Sequence, residues 1–396
     1  MAGVSDVREI LSGDGEVGVE IVRNVRRWVD DKVVPNANEL EHSGEFPSEL
    51  HQDMIDLGIY SITFPEQYGG LALSFETYSA VIEEIARGWM GLAGIINTSV
   101  IDGWVIDTHG TPDQKDRFLP GLASGAIQGA FTITEPNAGS DAQAIRTSAK
   151  RDGDDYVLNG NKLFVTNGDR AGLFLTMAKT DSTAQPRHRG ISAFLVQPES
   201  EGFQVARVID KLGYKGPQTA ELFFEDLRVP AGDLLGGEEG LGFKQMLSGL
   251  EIGRINVASR GVGVAQAAFD AAIVYAQQRE TFGKPIAEHQ AIQLKLADMA
   301  TNIRAARLLT RDAARTKDAG RRADLDVGMA KLFATEVAVE ASLESMRIHG
   351  GVGYTTELNV ERYYRDAPLM VVAEGTSEIQ KTVIARRLLE LYRIDT

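Results

Sequence analysis

The stretch YVLNGNKLFVTNG (residues 156–168) marks the place where the pattern of the chain changes from helical to strand-like. Its short apolar and β-branched runs are separated by Asn159-Gly160 and Asn167-Gly168, dipeptides that are typical of tight turns. Strand-length runs continue downstream as ISAFLVQP (191–198), FQVARVI (203–209) and AELFFEDLRVP (220–230). These runs predict a middle antiparallel β-domain over residues 121–236.

The residues before this β-domain have a helical pattern. SFETYSAVIEEIARG (74–88) places apolar residues on one helix face after a Ser74 cap. Further along, Thr111 and Gln114 have the spacing of a capping box, with a proline at the first helical position. We therefore predict an N-terminal helical domain over residues 1–120.

Helical periodicity returns after the β-domain. EHQAIQLKLADMATNIRAARLL (288–309) carries an apolar stripe at helical spacing, and two further periodic segments cover 324–348 and 377–393. This pattern predicts a C-terminal domain, residues 237–396, that resembles a four-helix bundle. The expected fold class is therefore α+β and multidomain.

Composition excludes several functional classes. The chain has 396 residues, no cysteine and a net charge of −15, which rules out disulfides and thiolate chemistry and disfavours nucleic-acid binding. The six histidines lack ligand spacing, so we expect no metal site. The acidic first 20 residues resemble neither a signal nor a transit peptide, which favours a cytoplasmic location. We expect no membrane span, because no stretch approaches about 18 unbroken apolar residues.

The sequence lacks several well-known catalytic motifs. There is no phosphate-binding loop, G-x-S-x-G or H-E-x-x-H motif. The nearest matches to a dinucleotide fingerprint, GVGVAQ (261–266) and GVGYTT (351–356), lack the third glycine. Glu374 attracts attention instead, because it lies between an apolar run and a predicted S-x-x-Q capping box at Ser377 and Gln380. Desolvation would favour its protonated form and the helix N-terminus its anion, so it could act as a base. A purely structural loop glutamate is the alternative.

Five motifs in order resemble one family. They are FTITEPNAGSD (131–141), KLGYKGPQTAELFFEDLRVP (211–230), QRETFGKPIAEHQAIQLKLADM (278–299), IHGGVGY (348–354) and AEGTSEIQ (373–380). With this series, the chain resembles the acyl-CoA dehydrogenases from about residue 15 to its end. The resemblance implies a helix, β-domain, helix architecture, bound FAD, an acyl-CoA substrate, a homotetramer and reoxidation by an electron-transfer flavoprotein.

The family's chemistry gives Glu374 a role. Membership implies that a base removes the α-proton of an acyl-CoA thioester while the β-hydride passes to N5 of FAD, giving a trans-2-enoyl-CoA. Glu374 matches that base, and its backbone amide with a flavin ribityl hydroxyl matches the donors to the thioester carbonyl. In some relatives the base is at the position of Gly253, where glycine cannot serve. Alternatives are an acyl-CoA oxidase, a lyase-type relative, or a non-catalytic scaffold homologue.

The resemblance also assigns binding residues. Those implied for FAD are Phe131, Ile133, Thr134, Ser140, Phe164, Thr166, Arg279, Thr281, Phe282, His289, Gln290, Arg347, Gly350, Gly351, Thr376 and Glu378. Of these, Arg279, Thr281, Phe282 and Gln290 resemble residues that reach the FAD of a neighbouring subunit. Those implied for the substrate are Ser140, Glu251, Arg254, Ala373 and Gly375. For Glu251 and Arg254, an i,i+3 salt bridge is the alternative.

Three positions depart from the common family pattern. Phe164 stands where relatives often have Trp, which keeps an aromatic ring but loses the indole donor. Arg347 stands where Gln is common, which puts its contact with the adenosine side of FAD in question. Ala373 stands where many relatives have Tyr before the base, and the smaller side chain would suit a branched or cyclic acyl group.

Overall fold

The structure, a computed structural model, describes residues 13–394. Its first part is helical, as predicted. The helices are α1 (Gly15–Trp28), α2 (Val34–Ser43), α3 (Ser48–Asp56), α4 (Phe75–Gly88), α5 (Met90–His109) and α6 (Pro112–Ala123). The Ser74 hydroxyl caps α4 by accepting the N–H of Thr77, and Thr111 with Gln114 forms both halves of the predicted capping box. Both predicted helix starts are therefore confirmed.

A mixed sheet follows. Its strands are β1 (Gly129–Thr132), β2 (Ser148–Asp152), β3 (Asp155–Thr166), β4 (Leu173–Lys179), β5 (Ile191–Val196), β6 (Phe203–Val208) and β7 (Thr219–Pro230). Pairing runs in the order β1-β4-β2-β3-β7-β6, and β5 also pairs with β4. Most pairs are antiparallel as expected, but β4 is parallel to β1 and to the end of β2. Within the described residues, neither β1 and β4 nor β2 and β4 follow each other in the chain, so a longer connection lets each pair run parallel.

The turn predicted at Asn159-Gly160 is wrong. Both residues lie inside the twelve-residue strand β3, where the pairing with β7 shifts register between Leu158 and Gly160. Gly160 has φ +153°, and an added Cβ would lie 2.7 Å from the Cα of Thr147. The glycine is therefore required by a β-bulge and a close backbone approach, which share the sequence signal of a turn.

The C-terminal part is again helical, as predicted. It contains α7 (Gly242–Gln278), α8 (Gln290–Asp318), α9 (Asp324–His349), α10 (Val360–Val372) and α11 (Ser377–Leu391), with a small hairpin of β8 (Glu280–Thr281) and β9 (Lys284–Pro285). Helix α7 is central and packs against α4, α5, α8 and α9. Added Cβ atoms at Gly261 and Gly263 would lie 2.7 Å and 2.4 Å from backbone oxygens of α9 and α4, so these glycines permit close helix packing.

Within residues 13–394, α7 is also the one helix long and apolar enough to cross a membrane. Of its most apolar 18-residue window, 72% is buried inside the protein, as in the core helix of a fold.

The junction between α10 and α11 differs from the predicted capping box. Thr376, rather than Ser377, is the N-cap of α11, and its hydroxyl accepts the N–H of Ile379. Gln380 does not reach back to the cap: its amide donates to the carbonyls of Glu374 and Gly375. Thr376 and Ser377 are both suitable N-cap residues. Because Gln380 binds the loop carbonyls, it is not available for a capping box with Ser377, and Thr376 is the cap.

Candidate functional site

A cavity of about 1260 Å³ lies where α5, α7, the sheet and the α10–α11 junction meet. Twelve of the residues assigned by resemblance line it: Phe131, Ile133, Thr134, Ser140, Phe164, Thr166, Glu251, Arg254, Ala373, Glu374, Gly375 and Thr376. They come from the sheet with its loops and from the C-terminal helical part. The fold thus brings together residues that are up to about 240 positions apart in the sequence.

The loop that carries Glu374 has an unusual backbone. Glu374 and Gly375 have φ values of +54° and +93°, so two consecutive residues occupy the left-handed region between α10 and α11. Left-handed geometry at a non-glycine residue costs about 1–2 kcal/mol and persists only where surrounding contacts enforce it. The geometry turns Glu374 away from the helical path of α10 and towards the cavity.

Three buried donors hold this loop through its carbonyl oxygens. Arg254 Nε lies 3.1 Å from the carbonyl oxygen of Glu374, and Lys331 Nζ lies 2.8 Å from that of Gly375. Gln380 Nε2 is 3.3 Å from both oxygens. Burial lowers the pKa of Lys331 to about 8. Donors from α7, α9 and α11 therefore fix the position of the loop.

The Glu374 carboxylate has one tethered oxygen and one free oxygen. Asn97 Nδ2 on α5 donates to Oε1 at 2.7 Å, and Arg260 Nη2 on α7 lies 3.9 Å from the same oxygen. In the part of the chain described here, Oε2 has no hydrogen-bond partner although it is buried. An added Cβ at Gly253 would lie 2.1 Å from Oε2. Glycine at this position therefore leaves space for the free oxygen.

Burial raises the pKa of Glu374, and the positive charge of Arg260 acts in the opposite direction. The Asn97 hydrogen bond and the charges of Arg254 and Lys331 also favour the anion. The side chain keeps 15% exposure towards the cavity. Such a group is a carboxylate that accepts a proton more readily than an ordinary surface glutamate does.

The sheet side of the cavity fits a flat, partly apolar ring system. Phe164 has φ +58° and keeps 61% of its surface exposed although it lines the cavity. Phe131 and Ile133 add apolar surface, and the hydroxyls of Thr134 and Thr166 provide polar groups along the same wall. An exposed aromatic face in a concave site is typical of a ligand-covered surface, and the wall fits an isoalloxazine ring.

A second group of predicted FAD residues lies outside this cavity. Thr281 and His289 are hydrogen-bonded at 3.1 Å, and the Phe282 ring is 97% exposed beside them. Arg347 forms an ion pair with Glu344 rather than facing the cavity. The other members are Arg279, Gln290, Gly350, Gly351 and Glu378, which do not line the cavity either. Contact of this group with FAD stays a prediction. For Arg279, Thr281, Phe282 and Gln290, the predicted contact is with the FAD of a neighbouring subunit.

The predicted substrate residues Glu251 and Arg254 do not pair with each other. Glu251 forms an ion pair with Lys317 of α8 at 2.7 Å, whereas Arg254 donates to the Glu374 carbonyl. The alternative i,i+3 salt bridge is therefore wrong. Both side chains line the cavity with Ala373 and Ser140.

Sequence reasoning missed four residues around Glu374. Asn97, Arg260 and Lys331 contact its carboxylate or its loop, and Tyr214 lines the cavity beside Arg260. The first two lie in mostly apolar helical segments, GIINTSVI (94–101) and INVASRGVGV (255–264), where a carboxamide and a charge are a signal that could have found them.

Family models match the chain over nearly its whole length. They are the acyl-CoA dehydrogenase N-terminal domain over residues 18–126, the middle domain over 130–227 and the C-terminal domain over 240–389. The chain belongs to the acyl-CoA dehydrogenase family. It is therefore an FAD-dependent oxidoreductase.

Relatives agree with this assignment. A probable acyl-CoA dehydrogenase of Bacillus subtilis is 42% identical over 92% of this chain and 96% of its own length. The mitochondrial short-chain specific acyl-CoA dehydrogenase of Rattus norvegicus is 42% identical over 93% of this chain and 89% of its own length.

Solved structures share the fold. Butyryl-CoA dehydrogenase from Megasphaera elsdenii has a TM-score of 0.91 at 37% identity, covering 98% of this chain and 100% of that one. A glutaryl-CoA dehydrogenase from Mycobacterium smegmatis in complex with FADH2 has a TM-score of 0.89 at 31% identity, with 97% of each chain covered. A chain from a structure of the electron transferring flavoprotein of Acidaminococcus fermentans reaches 0.91 at 36% identity, covering 98% of this chain and 99% of that one.

Proposed function

We propose that this enzyme converts an acyl-CoA thioester into a trans-2-enoyl-CoA, with Glu374 as the base that removes the α-proton. The observation that carries the proposal is the free oxygen Oε2, buried and without a partner among residues 13–394, at the wall of the cavity. Burial raises the pKa of this carboxyl, which increases its basicity towards a weakly acidic C–H bond.

The contacts of Oε1 support a defined direction of proton transfer. Asn97 donates to Oε1 at 2.7 Å, so the carboxylate cannot rotate freely and Oε2 stays available for the proton. Arg260 lies on the Oε1 side, where its charge favours the anion before reaction. After transfer, the low polarity that raises the pKa stabilises the protonated acid.

The backbone of Glu374 supports a second role. Within the described residues its amide N–H has no hydrogen-bond acceptor, while its carbonyl accepts two hydrogen bonds. A free amide on a fixed loop can donate to a thioester carbonyl as negative charge develops on that oxygen. Glu374 would then assist removal of the α-proton twice: its carboxylate would accept the proton, and its backbone amide would stabilise the charge on the thioester oxygen.

The cofactor would lie along the sheet wall, held by Phe131, Ile133, Thr134, Phe164 and Thr166. When bound, FAD supplies the acceptor for the substrate β-hydride. The aromatic ring of Phe164 and the apolar side chains of this wall would exclude water from the reacting carbons. Ser140 and Arg254 would orient the CoA part of the substrate.

We also propose that the enzyme forms a homotetramer and that an electron-transfer flavoprotein reoxidises its flavin. The nearly complete exposure of Phe282, next to Thr281 and His289, supports a contact with another subunit. In such an assembly the β8–β9 hairpin would bring Arg279 to a neighbouring FAD. The match to a chain from an electron transferring flavoprotein structure supports that protein as the electron acceptor.

Glu374→Gln tests the proposed function. We expect the variant to retain FAD and to bind acyl-CoA, because the amide is isosteric, but to reduce the flavin about 10²–10⁴-fold more slowly or worse. Anaerobic stopped-flow bleaching of the flavin, with a panel of straight and branched acyl-CoA thioesters, measures this. The assignment would be refuted if none of the thioesters bleached the flavin of the wild-type enzyme. It would also be refuted if the variant bleached at the wild-type rate.

A further inference from the structure

The inner end of the cavity contains a buried guanidinium. Arg260 lies on α7, seven residues after Gly253 and therefore about two turns along the same face. Its residue is 3% exposed, and it lines the cavity. Its Nε has no hydrogen-bond partner in the part of the chain that the structure describes. The nearest carboxylate oxygen is Glu374 Oε1, at 3.9 Å.

This geometry leaves much of the charge of Arg260 uncompensated. At 3.9 Å the contact with Glu374 is an ion pair without a hydrogen bond, and Oε1 already accepts from Asn97. Arg254 lies near the same carboxylate and donates to the Glu374 carbonyl, so Glu374 is the carboxylate that both guanidinium groups share. A buried cation with unused donors is costly unless a ligand group completes it.

Tyr214 forms the neighbouring wall. Its ring centroid is 5.7 Å from the Arg260 guanidinium carbon, and its own N–H donates to Asp366 at 2.7 Å. An added Cβ at Gly94 would lie 1.8 Å from the Tyr214 hydroxyl oxygen, so this glycine makes room for the phenol. Tyr214 has φ +56°, another left-handed residue held by its surroundings. The fold thus fixes a phenol and a guanidinium side by side at this end of the cavity.

The polar character of this end extends to α5. The Oδ1 atom of Asn97 is buried and has no hydrogen-bond partner within residues 13–394, although its amide nitrogen is used by Glu374. An unbranched alkyl chain would leave the Arg260 donors unsatisfied, and a hydroxyl group could in addition donate to Asn97 Oδ1. An acyl chain with an oxygen atom at this depth would accept from Arg260.

We propose that Arg260, with Tyr214 beside it, is a specificity determinant that binds an acceptor oxygen on the acyl chain beyond the reacting carbons. The ligand class is an acyl-CoA whose chain carries a carbonyl, hydroxyl or carboxylate oxygen. This inference rests on the proposed function, because it assumes that the acyl group passes Glu374 and extends towards Arg260. Arg260 then serves both the carboxylate of Glu374 and the substrate.

Sets of isosteric thioesters test the proposal. In each set the terminal branch carbon bears two methyl groups, one methyl group and one keto oxygen, or two carboxylate oxygens, and sets with four, five and six carbons up to the branch vary the depth. With wild-type holoenzyme, we expect kcat/KM for flavin reduction to be about 10–100-fold higher for an oxygenated member than for the dimethyl member of one set. The keto and carboxylate members separate a neutral from an anionic acceptor.

Arg260→Met should equalise kcat/KM between the oxygenated and the dimethyl members, mainly by raising KM for the oxygenated ones. Any loss that comes from removing its charge beside Glu374 is shared by all members and cancels in this ratio. Arg260→Lys should restore part of it, because it returns a charge without the planar fork. Tyr214→Phe keeps the ring and removes only the hydroxyl. Flavin content and thermal stability are measured for each variant, and if Arg260→Met fails to fold, Arg260→Lys and the wild-type panel decide the question.

Two outcomes would overturn the proposal. Wild-type enzyme that reduces all three members of every set with equal kcat/KM has no oxygen-binding end. A loss in Arg260→Met that is equal for all members, with the acid limb of the pH profile moved to higher pH, would mean that Arg260 acts on Glu374 alone. Both results require active wild-type enzyme, so they differ from failure of the proposed function, in which no thioester bleaches the flavin.

Discussion

Replacing Gly253 with alanine provides the sharpest test of how the fold positions Glu374. The new Cβ would lie 2.1 Å from Glu374 Oε2 and 2.7 Å from the Cδ1 of Ile101. An ordinary contact between these atoms begins at 3.4 Å, so the carboxylate oxygen must move by more than about 1 Å or the helices must separate. Because Glu374 has φ +54° and its carbonyl is held by Arg254 and Gln380, its backbone has little freedom to follow.

The magnitude follows from these two costs. A helical Gly→Ala change alone would stabilise the protein by roughly 0.5–1 kcal/mol, whereas overpacking costs about 1–3 kcal/mol. We therefore expect a net destabilisation of no more than about 2.5 kcal/mol. The effect on catalysis should be larger, since a displacement of about 1 Å at a reacting group can lower the rate about 10²-fold. The measurements are the rate of anaerobic flavin reduction by acyl-CoA, the KM and the thermal unfolding of the holoenzyme.

Two other glycines provide matched controls. At Gly249, one turn earlier on α7, an added Cβ would meet Val105 at 2.7 Å, so Gly249→Ala overpacks the same region without touching the carboxylate. At Gly328 on α9 the nearest atom is 3.4 Å away, so Gly328→Ala should keep full activity and be no less stable. If Gly253→Ala reduces flavin as fast as Gly328→Ala does, Oε2 of Glu374 is not the atom that receives the proton.

Other perturbations act on the same loop, on the pocket and on the subunit contact. Asn97→Ala removes a hydrogen bond that favours the anion, so the pKa of Glu374 should rise further and kcat/KM should be lost on acidification at a higher pH than in wild type. Lys331→Met should lower kcat, with flavin content unchanged, because the Gly375 carbonyl loses its 2.8 Å donor. Ala373→Tyr should reduce kcat/KM more for α-branched or cyclic thioesters than for short straight ones, because overpacking typically costs about 1–3 kcal/mol; equal losses would exclude a shape effect. Arg279→Ala should weaken FAD retention and tetramer formation together, and full flavin occupancy after gel filtration would contradict that contact.

The sequence predicts the helical and β-rich parts because long periodic segments and caps such as Thr111 are local signals. It fails where a residue serves a tertiary purpose under a familiar local pattern. Gly160 follows asparagine as in a hairpin turn, but the close approach of Thr147 explains it. Gln380 has the spacing of a capping-box residue, but it binds the carbonyls of Glu374 and Gly375. Such roles depend on distant segments that periodicity does not encode.

The candidate site also contains residues that the sequence predicts and residues that it does not. Glu374 stands out in sequence because apolar residues and a helix start flank it. Its partners Asn97, Arg260 and Lys331 come from three different helices, and none of them belongs to a recognisable motif. Only packing of α5, α7 and α9 around the α10–α11 junction brings them together.

The cations around Glu374 make different contacts, and this difference would let the proposed base react although it is buried. Arg254 and Lys331 are bound to backbone carbonyls, so they fix the loop and influence the carboxylate only through space. Arg260 faces the carboxylate itself, at a distance that stabilises the anion without a hydrogen bond to it. A direct bond would favour the anion further and make the carboxylate a weaker base. If Glu374 is the base, as we propose, the 3.9 Å separation would favour the anion without a direct bond, and it would leave the donors of Arg260 available to the proposed acyl oxygen.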